Sequence, residues 1–182
     1  LAKLGVTSRV DIQALNVENP DKVIELIRSV KPDEIYNLCG PSSVAESFVH
    51  PEDAIQSITS TATNCLEGIR KIDKNIRYYN ACTSECFGEK KEGLADESTK
   101  FHPRSPYGSA KAAVFELVKH YRENYNLFAS SGIAFNHASP LRTNRFVIQK
   151  IIVGAKNIAK KNTSNLELGE LDVARDWGWA PE

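Results

Sequence analysis

Short apolar runs alternate along this chain with stretches whose apolar residues recur every three to four positions. Such alternation marks a parallel α/β sheet, in which buried strands are nearly continuously apolar and each connecting helix carries one apolar stripe. VDIQALNV (10–17) is expected to form a buried strand. Asn19-Pro20 follows as a helix cap and a proline at the first helical position, with Val23, Leu26, Ile27 and Val30 at helical spacing. Lys31-Pro32-Asp33 closes that helix, and EIYNLCG (34–40) predicts the next strand. Pro51 opens a second helix, striped by Ile55, Ile58, Ala62, Cys65, Leu66 and Ile69. IRYYNACTS (76–84) predicts a third strand and GEKKEGLADESTKFHPRS (88–105) a polar loop. A helix capped by Ser105-Pro106 carries Val114, Leu117, Val118 and Tyr121, and LFASSGIAFN (127–136) is the fourth strand. A last helix over about 145–161 and a short strand at LELG (166–169) complete the series.

The predicted order is β-α-β-α-β-α-β with an appended segment. The fold class is α/β, a doubly wound, Rossmann-like parallel sheet. Ligands of such sheets sit beyond the carboxyl ends of the strands. Those ends carry Asn37 to Ser43, Thr83 to Glu85, and Asn136 to Ser139. A dinucleotide-binding fold has a G-x-G-x-x-G loop after its first strand, and none of the ten glycines forms one. The sheet is therefore incomplete. Its first strand matches a third strand, and the preceding units are expected upstream of Leu1.

Composition changes this picture little. A net charge of zero, from 23 basic and 23 acidic residues, argues against nucleic acid as a partner. No apolar run reaches the ~20 residues of a membrane span, and LAKLGVTSRV lacks the apolar core of a signal peptide. Cys39, Cys65, Cys82 and Cys86 lie in apolar runs without a histidine-rich partner motif. Buried free thiols in a reducing, cytoplasmic setting are expected rather than disulfides, and no metal site. There is no methionine, and the chain stops at RDWGWAPE, which suggests a segment of a longer polypeptide.

Candidate chemistry lies at the strand ends. Tyr107 and Lys111, at i and i+4, share one helix face just inside the Ser105 cap. A lysine cation and the positive helix terminus both favour phenolate, which would make Tyr107 a base for a hydroxyl group. The same pair is common on plain helix surfaces. Thr83-Ser84-Glu85 follows a strand directly, where a carboxylate can move protons or merely cap a turn. From Asn124 to Leu166 there is no acidic residue, while Arg142, Arg145, Lys150, Lys156, Lys160 and Lys161 are present. That segregation suits either an anion such as a nucleotide diphosphate or a solvated helix face.

Together these residues resemble the extended short-chain dehydrogenase/reductases, whose triad is a Ser or Thr with Y-x-x-x-K. Here Thr83, Tyr107 and Lys111 match it, and PRSPYGSAK (103–111) is similar to P-x-S-P-Y-x-x-x-K. Thr83-Ser84-Glu85, KPDEIYNL (31–38), SSVAESF (42–48), FNHASP (135–140) and RDWGWAPE (175–182) resemble motifs of the GDP-mannose 4,6-dehydratase family. The resemblance implies an NADP-dependent nucleotide-sugar lyase converting GDP-mannose to its 4-keto-6-deoxy derivative, assembled as a homodimer or homotetramer. It implies that Thr83, Glu85, Tyr107 and Lys111 are catalytic. Leu38, Cys39, Gly40, Ser42, Lys111, His137 and Arg142 match positions that contact NADP, and Ser84, Asn136 and Arg175 positions that hold the sugar nucleotide. Residues 1–140 would be a partial cofactor domain and 141–182 the start of a smaller substrate-binding region. The chain departs from the family pattern at Asn16, Cys39-Gly40-Pro41, Asp53, Ala62, Phe87, Ala138 and Leu141. These departures leave open another nucleotide-sugar dehydratase or epimerase, or a non-catalytic cofactor-binding fragment.

Overall fold

The computed structural model describes residues 4–89 and 93–180. Leu1, three residues of the polar loop, and Pro181-Glu182 of the terminal motif lie outside the described residues. The chain divides after Ile133 into two compact units.

In the first unit the helices form where their ends are satisfied. Helix α1 (Pro20–Val30) begins at Asn19, whose side chain accepts from the amides of Asp21 and Lys22 at 3.0 and 3.1 Å. It ends at Lys31 in the left-handed region (φ +50°), whose N–H reaches the Ile27 carbonyl at 2.9 Å. Strand β1 (Glu34–Asn37) leads into a short helix, α2 (Val44–Val49), and the long helix α3 (Pro51–Ile72). Helix α3 has Glu52 and Asp53 in its first turn and Arg70 and Lys71 in its last, complementing the helix dipole at both ends. Strand β2 (Arg77–Thr83), helix α4 (Pro106–Tyr125) and strand β3 (Ala129–Ala134) follow.

The sheet order is β1-β2-β3. Strands β1 and β2 are parallel, pairing Ile35 with Tyr78, Tyr36 with Tyr79 and Asn37 with Asn80. The Arg77–Glu34 ion pair closes the lower end. Alternation puts Ile35, Tyr78 and Asn80 toward the helices, and Tyr36 and Tyr79 on the other face, where their rings lie 5.8 Å apart. The core joins Val23 and Ile27 of α1, Ile58, Ala62, Leu66 and Ile69 of α3, Tyr78 of β2, and Val114, Val118 and Tyr121 of α4. Each large member stabilises the fold by about 1.5–3 kcal/mol through burial alone. This is the expected α/β, Rossmann-like architecture.

Several expected elements differ. Residues 10–16 form no strand: no neighbouring strand pairs with them among the described residues, and Val10 and Ile12 are exposed. Hydrogen-bonded neighbours make a strand, so an apolar run without them is only extended chain. Helix α2 (Val44–Val49), which was not among the expected elements, is capped by Ser43 accepting from Glu46 N–H at 3.2 Å. Ile55 is exposed because Ala54, Ile58, Ala62 and Leu66 take the i, i+4 row that faces the core. Cys82 and Cys86 are buried as expected, but Cys65 is half-buried and Cys39 exposed, since β1 ends at Asn37 and Cys39 falls in the loop beyond it.

The second unit pairs β4 (Asn136–Ala138) in parallel with β5 (Trp177–Trp179), Asn136 opposite Trp177. Between them runs helix α5 (Val147–Ala159). The expected strand at 166–169 is absent. Leu166 packs instead over Gly154, where a Cβ would lie 2.6 Å from its Cδ1.

Candidate active site

The site is built around the first turn of α4. That turn's donors are fully accounted for. Pro106 has no N–H. Tyr107 N–H donates to Ser47 Oγ at 3.3 Å, Gly108 N–H to Ser105 Oγ at 3.0 Å, and Ser109 N–H to the Ser105 carbonyl at 2.9 Å. Gly108 allows the helix to approach β2 closely: a Cβ there would lie 2.8 Å from the Glu85 carbonyl oxygen. Tyr107 and Lys111 therefore lie beside the end of β2 and the single 3-10 turn Ser84–Cys86 that follows it. Thr83, buried at the strand end, accepts from Glu85 N–H at 3.3 Å.

Lys111 is buried, at 6% exposure. Its Nζ donates to the Ala81 carbonyl at 2.9 Å and stands 5.9 Å from the Tyr107 ring centre. Burial pulls the Lys111 pKa below the ordinary lysine value, which the neighbouring Cys82, Cys86 and Cys39 partly offset. Burial also pushes the Tyr107 phenol up, against the opposing pull of Thr83. The sequence-based expectation of a lowered Tyr107 pKa is thus reversed. Desolvation outweighs the helix terminus, and the Lys111 cation is engaged with Ala81 rather than with the phenol. Behind the pair, the Cys82 and Cys86 sulfurs lie 3.4 Å apart and pack on the Lys111 and Gly108 carbonyls. Cys82 is the more acidic of the two, chiefly through the hydrogen bond between them.

The loop after β1 holds Leu38, Cys39, Gly40 and Ser42. Leu38 and Cys39 are exposed, and Cys39 N–H is held by Asn37 Oδ1 at 3.2 Å. Asn37 in turn donates to Tyr78 Oη and Asn80 Oδ1, at 3.0 and 3.3 Å. Gly40 has φ +108°, and a Cβ there would meet Ile58 Cγ1 at 2.9 Å, so only glycine lets the loop lie this close to α3. A cavity of about 360 Å³ bordered by Pro41, Ser47, His50 and Asp53 includes none of Thr83, Glu85, Tyr107 or Lys111.

Within the second unit, Asn136 sits on β4, and Arg175 precedes β5, which pairs with it. His137 is exposed, its Nδ1 2.9 Å from the Phe135 carbonyl. Arg142 stacks 3.8 Å from the Phe146 ring centre and donates to the His137 carbonyl at 3.3 Å. Sequence reasoning missed Ser47. A serine in an unrecognised helix carries no sequence signal that it will meet an amide 60 residues away.

The architecture is that of solved nucleotide-sugar enzymes at low sequence identity. It matches the structure of RMD from Pseudomonas aeruginosa complexed with NADPH at a TM-score of 0.86 and 21% identity, over 98% of this chain and 63% of that one. It also matches DesIV, a dTDP-glucose 4,6-dehydratase from Streptomyces venezuelae with NAD and DAU bound, at 0.83 and 18%, over 99% and 54%. The class is therefore a Rossmann-like α/β fold. Within it, the model of the GDP-mannose 4,6 dehydratase family matches residues 2–182, and the chain belongs to that family. It is 40% identical to a GDP-mannose 4,6-dehydratase of Vibrio cholerae over 169 residues, 92% of this chain and 45% of the relative. A Drosophila melanogaster relative of the same description is 40% identical over 176 residues, covering 96% and 45%. The chain thus spans less than half the length of these relatives.

Proposed function

We propose that this chain carries the acid–base centre of a GDP-mannose 4,6-dehydratase that uses NADP and makes GDP-4-keto-6-deoxymannose. What supports the reading is that β2, its 3-10 turn and the start of α4, the elements that carry Thr83, Glu85, Tyr107 and Lys111, adjoin. Residues 1–140 would hold the cofactor and 141–182 begin the substrate region, in a cytoplasmic homodimer or homotetramer. Among the described residues no helix is long and apolar enough to cross a membrane.

The residues present fit a nicotinamide dinucleotide. Gly40 has no Cβ to crowd the loop, Leu38 and Cys39 face outward, and Lys111 uses one of its three N–H groups on Ala81. Leu38, Cys39, Gly40, Ser42, Lys111, His137 and Arg142 would hold it, and it would supply a reversible hydride acceptor. The protein's own groups would move the protons. Thr83 would donate to the sugar O4 while Tyr107 takes its proton. The resulting 4-ketone acidifies C5–H. Glu85 would remove that proton and pass it to the 6-hydroxyl, which leaves as water, and the C5–C6 double bond left behind would be saturated by return of the hydride to C6 and of the Tyr107 proton to C5. Ser84, Asn136 and Arg175 would hold the sugar nucleotide. Because burial raises the Tyr107 pKa, it would act as a base once a cationic partner offsets that shift.

The test is to incubate the protein from the complete open reading frame encoding this chain with GDP-mannose and NADP, and to look by mass spectrometry for a product lighter by one water. The reading expects that product, and its loss in Glu85→Gln and Tyr107→Phe. An untouched substrate with intact cofactor binding would favour another nucleotide-sugar, consistent with the departures at Ala138 and Leu141. Turnover with NAD but not NADP would correct the cofactor.

A further inference from the structure

Ser47 is 1% exposed and belongs to none of the groups assigned a step above. It lies in α2, the short helix that follows the loop at 38–43. Its hydroxyl donates to the Val44 carbonyl at 2.7 Å, which fixes the rotor and turns a lone pair toward α4. Into that lone pair Tyr107 N–H donates at 3.3 Å. The second amide of a helix is ordinarily satisfied by its own cap or by water. Here the cap, Ser105, serves Gly108 instead, and the Tyr107 amide is tied to a different element.

We propose that Ser47 is a positioning residue that sets Tyr107 against the loop after β1. This deepens the dehydratase reading and rests on it. Loop, α2 and the first turn of α4 then form one connected path, so the base and the loop proposed to hold the cofactor keep a common register. Removing the hydroxyl leaves a helix-terminal N–H without its acceptor, beside the cavity that Ser47 borders. Solvent entering from that cavity would let the first turn of α4 fray and the phenol shift. A displacement of ~1 Å in a reacting group lowers turnover by up to about 10²-fold.

The test compares wild type, Ser47→Ala and Ser47→Thr in the protein from the complete open reading frame. It follows turnover of GDP-mannose and amide hydrogen exchange of peptides spanning 104–112. Expected for Ser47→Ala are a fall in kcat of about 10- to 100-fold, KM for GDP-mannose within about twofold of wild type, and faster exchange confined to that peptide. Ser47→Thr, which keeps the hydroxyl, should recover most of the turnover and the protection. Unchanged kcat and exchange in Ser47→Ala would overturn the proposal. So would a loss accompanied by deprotection throughout α3, because that is general destabilisation. If Ser47→Ala does not fold, Ser47→Cys, similar in volume but a weak acceptor, replaces it under the same criteria. If wild type shows no dehydratase activity, the functional reading falls separately. Exchange then decides alone whether Ser47 fixes Tyr107, local deprotection supporting it and unchanged protection refuting it.

Discussion

Replacing Glu67 with glutamine should loosen the seam between α3 and α4, the helix that carries Tyr107 and Lys111. Glu67 accepts from Arg70 Nε at 2.7 Å and Nη2 at 2.9 Å, and from Tyr121 Oη on α4 at 2.8 Å, with Lys71 Nζ 3.6 Å away. Arg70 in turn lies 5.3 Å from the centre of the Tyr125 ring. The Arg70 hydrogen bonds are the largest influence holding the Glu67 carboxyl at about 2, below its ordinary 4.5. At about 1.36 kcal/mol per pH unit this gap corresponds to ~3 kcal/mol. The Glu67 side chain is 25% exposed and that of Arg70 34%, so solvent screening reduces the expected effect to ~1–2 kcal/mol. The sign follows from the depressed value. The stabilisation is complete above about 4.5, where the unfolded carboxyl is ionised, and is lost as pH falls through about 2. Glu67→Gln should therefore lower the urea midpoint at pH 7, and the gap from wild type should close between pH 4.5 and pH 2. Urea titrations followed by circular dichroism at several pH values measure this directly. A gap of equal size at pH 7 and pH 2 would refute the reasoning, because only the ionised carboxylate makes the network.

Leu66 is completely buried among α1, α3 and α4, and Leu66→Ala should destabilise by about 2–5 kcal/mol, read as a fall in Tm. Gly108→Ala would bring a methyl against the Glu85 carbonyl and should cost ~1–3 kcal/mol, with turnover falling further than that of a comparably destabilised core variant. Tyr36, Tyr78 and Tyr121 are also pushed above the ordinary 10, so ultraviolet titration of wild type against Tyr107→Phe should show, in the difference, a phenol that ionises above 10; a difference centred below 10 would mean that burial does not control Tyr107.

Local signals were legible where local chemistry decides the outcome. The caps at Asn19 and Ser105, the prolines at 20, 51 and 106, and the apolar stripes of α1, α3 and α4 lie within a few residues of the structures they dictate. That Tyr107 and Lys111 share a face was readable because both lie in the first turns of one helix, whereas Thr83 comes near them only through the packing of β2 against α4. The strand at 10–17 was misjudged because apolar content cannot supply the neighbour that a strand requires. The second unit likewise depends on pairing between Asn136 and Trp177, which no local pattern announces.

The chain's own pattern thus determined the longer helices α1, α3, α4 and α5, which residue types stand at the strand ends, and that Tyr107 and Lys111 share a face. Tertiary structure alone decided the electrostatics and the couplings. It desolvated Tyr107 and Lys111, so both pKa values move away from the local expectation. It also brought Ser47 to the Tyr107 amide and Glu85 against Gly108. The physical reason is range: caps and stripes act over one or two helical turns, whereas burial and cross-element hydrogen bonds exist only once distant parts of the chain have packed.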